Sequence, residues 1–240
     1  MQAVDLTWRH QNRLLELLPA PEFVHIAPLL SVHEVEVKHV LIRKGAPLRH
    51  VDFPCSSVYS ALVEMADGAT VEVGTIGNEG MASLNALLDG HVATETLICQ
   101  IPGISLRMRI DDFQWEAESN AQFRTVLDLY AQAYISQVEQ SAACNQLHTL
   151  EQRTARWLLM THDRVRQDVF PMTQEFLSFM LGVQRPSVSQ IARRLEQEGA
   201  LSYHRGMMRI LRRDLLEATT CECYAATRSQ FEHLLGASAG

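Results

Sequence analysis

The spacing of apolar residues changes character along this chain. Residues 8–18 carry apolar side chains at helical spacing and meet Pro19 and Pro21, which predicts a short helix ending there. Residues 22–30 predict a second. At residues 32–37 the order Val-His-Glu-Val-Glu-Val alternates apolar with polar, the period of a half-buried strand. Further strands are predicted at 40–42, 57–65, 70–76, 94–101 and 104–110, with turns at 44–47, Asp67-Gly68 and Pro102-Gly103. Asp67-Gly68 reads as a two-residue hairpin turn, because Asp-Gly tolerates positive φ at both positions. Short strands with regular turns indicate an antiparallel barrel or sandwich.

From residue 111 to about residue 166 there is neither glycine nor proline. Residues 120–146 sustain helical periodicity. Leu127, Tyr130, Tyr134, Gln137, Ser141 and Cys144 recur at alternating three- and four-residue steps and so share one stripe. The stripe is expected to be the seam of a homodimer, the alternative being that it packs on the chain's own barrel. Thr149 and Gln152 fit a capping box that starts a new helix running through Trp157 to Met160. Residues 163–171 read as a linker.

The next segment carries the most local information. Thr173 can cap a helix at 174–181, with Glu175 in its positive first turn. Gly182 stands where a tight interhelical turn needs positive φ. A second helix is predicted at 185–197, with Pro186 tolerated in its first turn. Leu177, Leu181, Val183, Val188 and Ile191 are placed to form a shared core, and Ser178 is the small residue where the helices cross. The opposite face of the second helix carries Arg185, Ser189, Gln190 and Arg193. Arg and Gln are the side chains that pair with guanine and adenine edges. After Gly199, residues 201–211 predict a β-hairpin turning near Arg205-Gly206, whose basic residues could reach phosphates. This is a winged helix-turn-helix pattern.

Composition sharpens the picture. A chain of 240 residues with 47% hydrophobic side chains can bury two cores. The formal net charge is −7, yet residues 171–213 hold seven basic and three acidic side chains, so an acidic body ends in a basic segment. No run approaches the ~20 apolar residues of a membrane span, and the first 30 residues lack a secretory pattern. With five cysteines, an odd number, the expectation is a reduced, cytoplasmic protein with free thiols. Cys221 and Cys223 lie one residue apart with no second pair nearby in sequence, so no metal is assigned. His148, His162 and Asp163 could be assembled on paper. No nucleophile elbow, phosphate loop or His-Glu-x-x-His pattern holds them, so an enzyme is not expected.

Taken together, these segments resemble the Crp/Fnr family of transcription regulators over nearly the whole chain. Phe53-Pro-Cys-Ser-Ser-Val-Tyr-Ser60, Asp67-Gly-Ala-Thr-Val-Glu-Val-Gly74 and Ile76-Gly-Asn-Glu-Gly-Met81 resemble its sensor barrel. Leu181-Gly-Val-Gln-Arg-Pro-Ser-Val-Ser189 is similar to its turn and recognition helix. The resemblance implies an α+β fold: an antiparallel, jelly-roll-like β-barrel sensor over residues 1–119, a dimerisation helix over 120–148 and a winged helix-turn-helix over 149–240. It implies a homodimer through Leu127, Tyr130, Tyr134, Gln137 and Ser141, an inverted repeat in double-stranded DNA as target, and RNA polymerase as a partner. No membrane partner is expected.

Expected DNA contacts are Thr173, Arg185, Ser187, Ser189, Gln190, Arg193 and Arg205. Of these, Arg185, Ser187 and Gln190 fall on the family's contact positions. Well-known members have Glu where Pro186 stands and Arg where Gln190 stands, so their operator does not transfer. Members that bind cyclic AMP hold its phosphate with a Gly-Glu pair followed by Arg and Ser or Thr. Here Gly77, Glu79, Gly80 and Thr94 form the candidate effector pocket, and the Arg is missing. Cyclic AMP is therefore not expected to bind, although Arg107 or Arg109 could substitute. Any other ligand is expected between the barrel and the long helix. No cofactor is identified, since no cysteines are grouped before Cys55, and the small-molecule effector is unknown. The alternative function is a ligand-binding module whose second domain binds a protein.

Overall fold

The computed structural model describes residues 3–88 and 90–236. Its first helical segment breaks at Asn12, ahead of the prolines. α1 (Leu6–Arg9) and α2 (Arg13–Glu16) replace the single expected helix. Asn12 is buried, and its amide explains the break. Its oxygen caps α2 at Leu15, and its nitrogen donates to the carbonyls of Pro54 and Gly80. A buried amide needs such partners, and a continuous helix could not offer them. α3 (Ala20–Ile26) then passes through a 3-10 turn into the barrel.

The barrel consists of β1 (Leu30–Val35), β2 (Val40–Ile42), β3 (His50–Pro54), β4 (Val58–Glu64), β5 (Thr70–Ile76), β6 (Thr96–Ile101) and β7 (Gly103–Arg109). They form two antiparallel sheets, ordered β1-β7-β3 and β2-β6-β4-β5. The β4–β5 turn differs from the expectation. Only Gly68 has positive φ, at 85°, and the Met65 carbonyl accepts from its N–H at 3.0 Å. This is a three-residue loop with a glycine bulge, not a two-residue turn.

α4 (Ile110–Ser119) leads to α5 (Ala121–Leu147), which Asn120 caps through the amides of Gln122 and Phe123. The stripe of α5 faces inward. Leu127, Tyr130, Tyr134, Gln137 and Ser141 are all buried within the one chain, so they are not a dimer seam. Two barrel glycines give the physical reason. A Cβ on Gly80 would lie 2.1 Å from the Tyr130 ring, and one on Gly74 would lie 2.6 Å from the Tyr134 hydroxyl. The tyrosines occupy space that only glycine leaves. Tyr130 also donates to the Met81 carbonyl, and Gln137 to that of Thr75, both at 3.0 Å. What α5 shows to solvent is Ile135, 52% exposed, among Asp128, Gln132 and Glu139.

α6 (Leu150–Val165) begins with the expected capping box and extends past the point where a linker was expected. Its Trp157 indole donates to the buried Glu72 carboxylate of β5 at 3.2 Å. Burial raises the Glu72 carboxyl above its ordinary pKa, while the Thr75 hydroxyl and Trp157 act to lower it. Then follow β8 (Val169–Pro171), α7 (Gln174–Leu181), α8 (Arg185–Gln197), β9 (Leu201–His204) and β10 (Met207–Ile210), with the strands ordered β8-β10-β9. After α9 (Arg213–Thr219), α10 (Cys223–Gly236) runs back along α5. Its Phe231 and Leu235 join the apolar core of the barrel. A division at residue 149 cuts through both cores, because α10 returns to the first and Val58, Leu62 and Ile101 of the barrel join the second.

Candidate nucleic-acid interface

Helices α7 and α8 are joined as their local sequence dictates. The Thr173 hydroxyl accepts from the Phe176 amide at 3.1 Å, capping α7. Gly182 ends that helix with φ 65°. Pro186 lies in the first turn of α8, where no hydrogen bond is lost. Leu177, Leu181 and Val188 are buried between the helices, with Val183 and Ile191 half-buried beside them. Ser178 is buried near the turn.

The outer face of α8 presents Arg185, Ser187, Gln190 and Arg193, all exposed. Two expected contacts are used otherwise. The Ser189 hydroxyl is 2.6 Å from Gln174 Oε1 and 3.0 Å from the Arg185 carbonyl, so it ties α8 to the start of α7. Thr173 spends its hydroxyl on the cap. Both position the helices. In the β9–β10 hairpin, Arg205 and Gly206 have φ 49° and 79°, the two positive values of a type I′ turn. The Met172 amide donates to the Gly206 carbonyl at 2.8 Å, fixing the hairpin against the entry to α7.

The state of the arginines distinguishes this face. Arg194 pairs with Glu151 and Glu198, Arg212 with Asp214, and Arg213 with Asp163 and Glu217. Arg185, Arg193, Arg205 and Arg209 are exposed, and among the described residues no ion pair or side-chain hydrogen bond holds them. Arg209 was not singled out in the sequence, though it alternates with buried Met208 and Ile210 on β10. Four unpaired cations on one helix and one hairpin are available to phosphates and base edges.

The expected effector pocket is not assembled. Glu79 is buried and pairs with Arg164 of α6 at 2.7 Å, and it accepts from the Gly77 amide at 3.1 Å. A Cβ on Gly77 would lie 2.7 Å from Arg164 Cγ, and Gly80 lies under Tyr130. The chain's own side chains fill the slot, while Thr94 is exposed. Arg107 pairs with Asp52 at 2.9 Å and Arg109 with Asp111 at 3.3 Å, so both are engaged elsewhere. Arg164 was missed because no local pattern links it to residues 77–80. A cavity of about 410 Å³ opens beside this pair, lined by Arg13, Asn78, Arg166 and Arg213 among others.

Residues 152–219 match the family described as the Crp-like helix-turn-helix domain. The chain carries a Crp-like helix-turn-helix domain. Solved structures extend the likeness in fold to about four-fifths of the chain. FixK2 from Bradyrhizobium japonicum superposes with a TM-score of 0.68 at 14% identity, over 80% of this chain and 98% of its own. A CRP-family transcriptional regulator from Thermus thermophilus gives 0.66 at 16% identity, over 78% and 95%. The c-di-GMP-responsive global regulator CLP of Xanthomonas campestris gives 0.65 at 11%, over 80% and 99%. No curated protein matches the chain by sequence. The helix-turn-helix match thus sits within a chain whose fold is that of these structures. Among the described residues no helix is long and apolar enough to cross a membrane.

Proposed function

We propose that this protein is a dimeric, sequence-specific transcription regulator that binds an inverted repeat in double-stranded DNA. The four unpaired arginines on α8 and the wing carry this reading, because the rest of the chain is acidic and its neighbouring arginines are paired. Arg185, at the start of the recognition helix, reads a guanine. Gln190 reads an adenine or supports Arg185. Ser187, Arg193 and Arg205 hold the backbone. Two-fold symmetry places one recognition helix in each of two successive major grooves, so half-site centres lie ~10 bp apart. Selection from a random DNA pool tests the reading. An enriched inverted repeat, lost steeply as salt rises, is expected. No enrichment, with partner capture insensitive to salt, would mean that the second domain binds protein instead. RNA polymerase is the further partner that the Crp/Fnr fold suggests.

The second copy docks on the outer face of α5 around Ile135, since the original stripe is committed to the barrel. Ile135→Glu changes an exposed side chain and leaves the core intact. It is expected to yield folded monomers by light scattering and to weaken binding to the repeat by about tenfold or more, because each half-site is then bound separately. A stable dimer in this variant would place the seam elsewhere. The signal is a small molecule other than cyclic AMP. The cavity beside Glu79 and Arg164 is its favoured place, since it touches the barrel, α6 and α10 together. A ligand there acts only by favouring one arrangement of these elements.

A further inference from the structure

Where α5 ends and α10 begins, the fold gathers three thiols and an imidazole. Cys144 lies in the last turn of α5, and His148 closes that helix. Cys221 and Cys223 come from the connection between α9 and the start of α10. One ligand atom from each of the four residues lies within 4.8 Å of all the others. Cys144 Sγ is 3.6 Å from Cys221 Sγ, and Cys223 Sγ is 3.5 Å from His148 Nδ1. A tetrahedral centre with bonds of ~2.3 Å to sulfur and ~2.0 Å to nitrogen has edges of roughly 3.5–3.8 Å. The two separations match those edges.

The surroundings also fit a metal. All three cysteines are buried. The second ring nitrogen of His148, Nε2, faces the Glu222 carboxylate at 3.3 Å. A metal-binding imidazole commonly donates its other N–H to a carboxylate, which fixes its tautomer. The Gln140 amide donates to Cys223 Sγ at 3.0 Å, and an N–H···S bond of this kind stabilises a thiolate. Buried Arg156 reaches Ser141, one turn before Cys144, at 2.9 Å. Its positive charge balances three thiolates around a divalent cation.

We propose that Cys144, His148, Cys221 and Cys223 bind one zinc ion in a closed structural site that clamps α10 to α5. Binding displaces three thiol protons to solvent and takes His148 in its neutral form. Soft sulfur with imidazole, four ligands and no open position favour zinc over magnesium or calcium. An iron–sulfur cluster would divide its four ligands over two or four irons, so that all four ligand atoms could not lie within 4.8 Å of one another. A disulfide would bring two sulfurs to ~2.05 Å and leave the other two ligands without a role. The Cys221-Glu-Cys223 pair says little alone, and the fold supplies its partners from 73 or more residues earlier in the chain.

Elemental analysis of the full chain, purified under reducing conditions, tests this directly. About one zinc per chain is expected. Co²⁺ added anaerobically to the metal-stripped full chain should give the visible bands of tetrahedral cobalt and a thiolate charge-transfer band. Cys144→Ser and Cys223→Ser should lose most of the bound metal and the charge-transfer band, while Cys55→Ser, in the barrel, should keep both. Stripping zinc from the unsubstituted protein should lower its melting temperature, and adding zinc should restore it. This last measurement needs no variant to fold. A folded, reduced chain that holds no zinc and gives no cobalt bands overturns the proposal. So does iron with inorganic sulfide, or a Cys144–Cys221 disulfide in the native protein. None of these outcomes bears on whether α8 reads DNA.

Discussion

Arg185→Ala is expected to abolish most sequence discrimination while leaving the protein folded. A good bidentate pair with a base is worth ~1–3 kcal/mol. The proposed dimer would carry two, so affinity for the selected repeat should fall by about 30-fold or more, with little change on random DNA. The side chain is exposed and, among the described residues, its guanidinium makes no hydrogen bond or ion pair, so its removal should not disturb α8. Arg205→Ala is the contrast. It should weaken every sequence alike and reduce the salt slope by about one phosphate contact per protomer. Competition binding on the repeat and on random duplex, at several salt concentrations, separates the two. Equal loss on both duplexes for Arg185→Ala would show a phosphate contact and end its assignment to a base.

Arg164→Met should lower stability strongly. Arg164 holds buried Glu79 at 2.7 Å and donates to Gln137 Oε1 and the Met160 carbonyl. Losing one partner of a buried ion pair leaves the other charge uncompensated, at a cost of ~3–5 kcal/mol. Urea unfolding should show a lower midpoint. Adding Glu79→Gln should recover part of the loss by removing the stranded charge, though Gln137 remains without its donor. A loss below about 1 kcal/mol would mean that water reaches Glu79 and screens it. Because Arg164 lies on α6 and Glu79 follows β5, the pair also joins the Crp-like helix-turn-helix domain to the barrel.

The parts of this fold that were legible in the sequence are those whose causes are local. Thr173 as cap, Gly182 at positive φ, Pro186 in a first turn and the Arg205-Gly206 hairpin each depend on a few neighbouring residues. The boundaries of α7 and α8 follow directly from them. β3 was missed because Val51 to Pro54 are buried on both faces and show no alternation. The stripe of α5 was legible as a buried surface, but periodicity does not name the surface it meets. Gly74, Gly80 and the Met81 carbonyl, far away in sequence, show that Tyr134 and Tyr130 lie against the barrel. The effector slot failed in the same manner, since Arg164 fills it from the far side of the chain. The thiol cluster was hidden by the same distance.

The return of α10 to the barrel has a consequence during synthesis. The ribosome delivers α5 long before it delivers Phe231 and Leu235, so the barrel leaves the exit tunnel with part of its core uncovered. Domains usually fold as they emerge, amino terminus first. Here the Crp-like domain can close its own core while the barrel still waits for its last helix. The nascent chain therefore leaves uncovered the surface of α5 that meets α10 until residues 223–236 have been made. A stop codon shortly after residue 219 would leave that surface bare permanently.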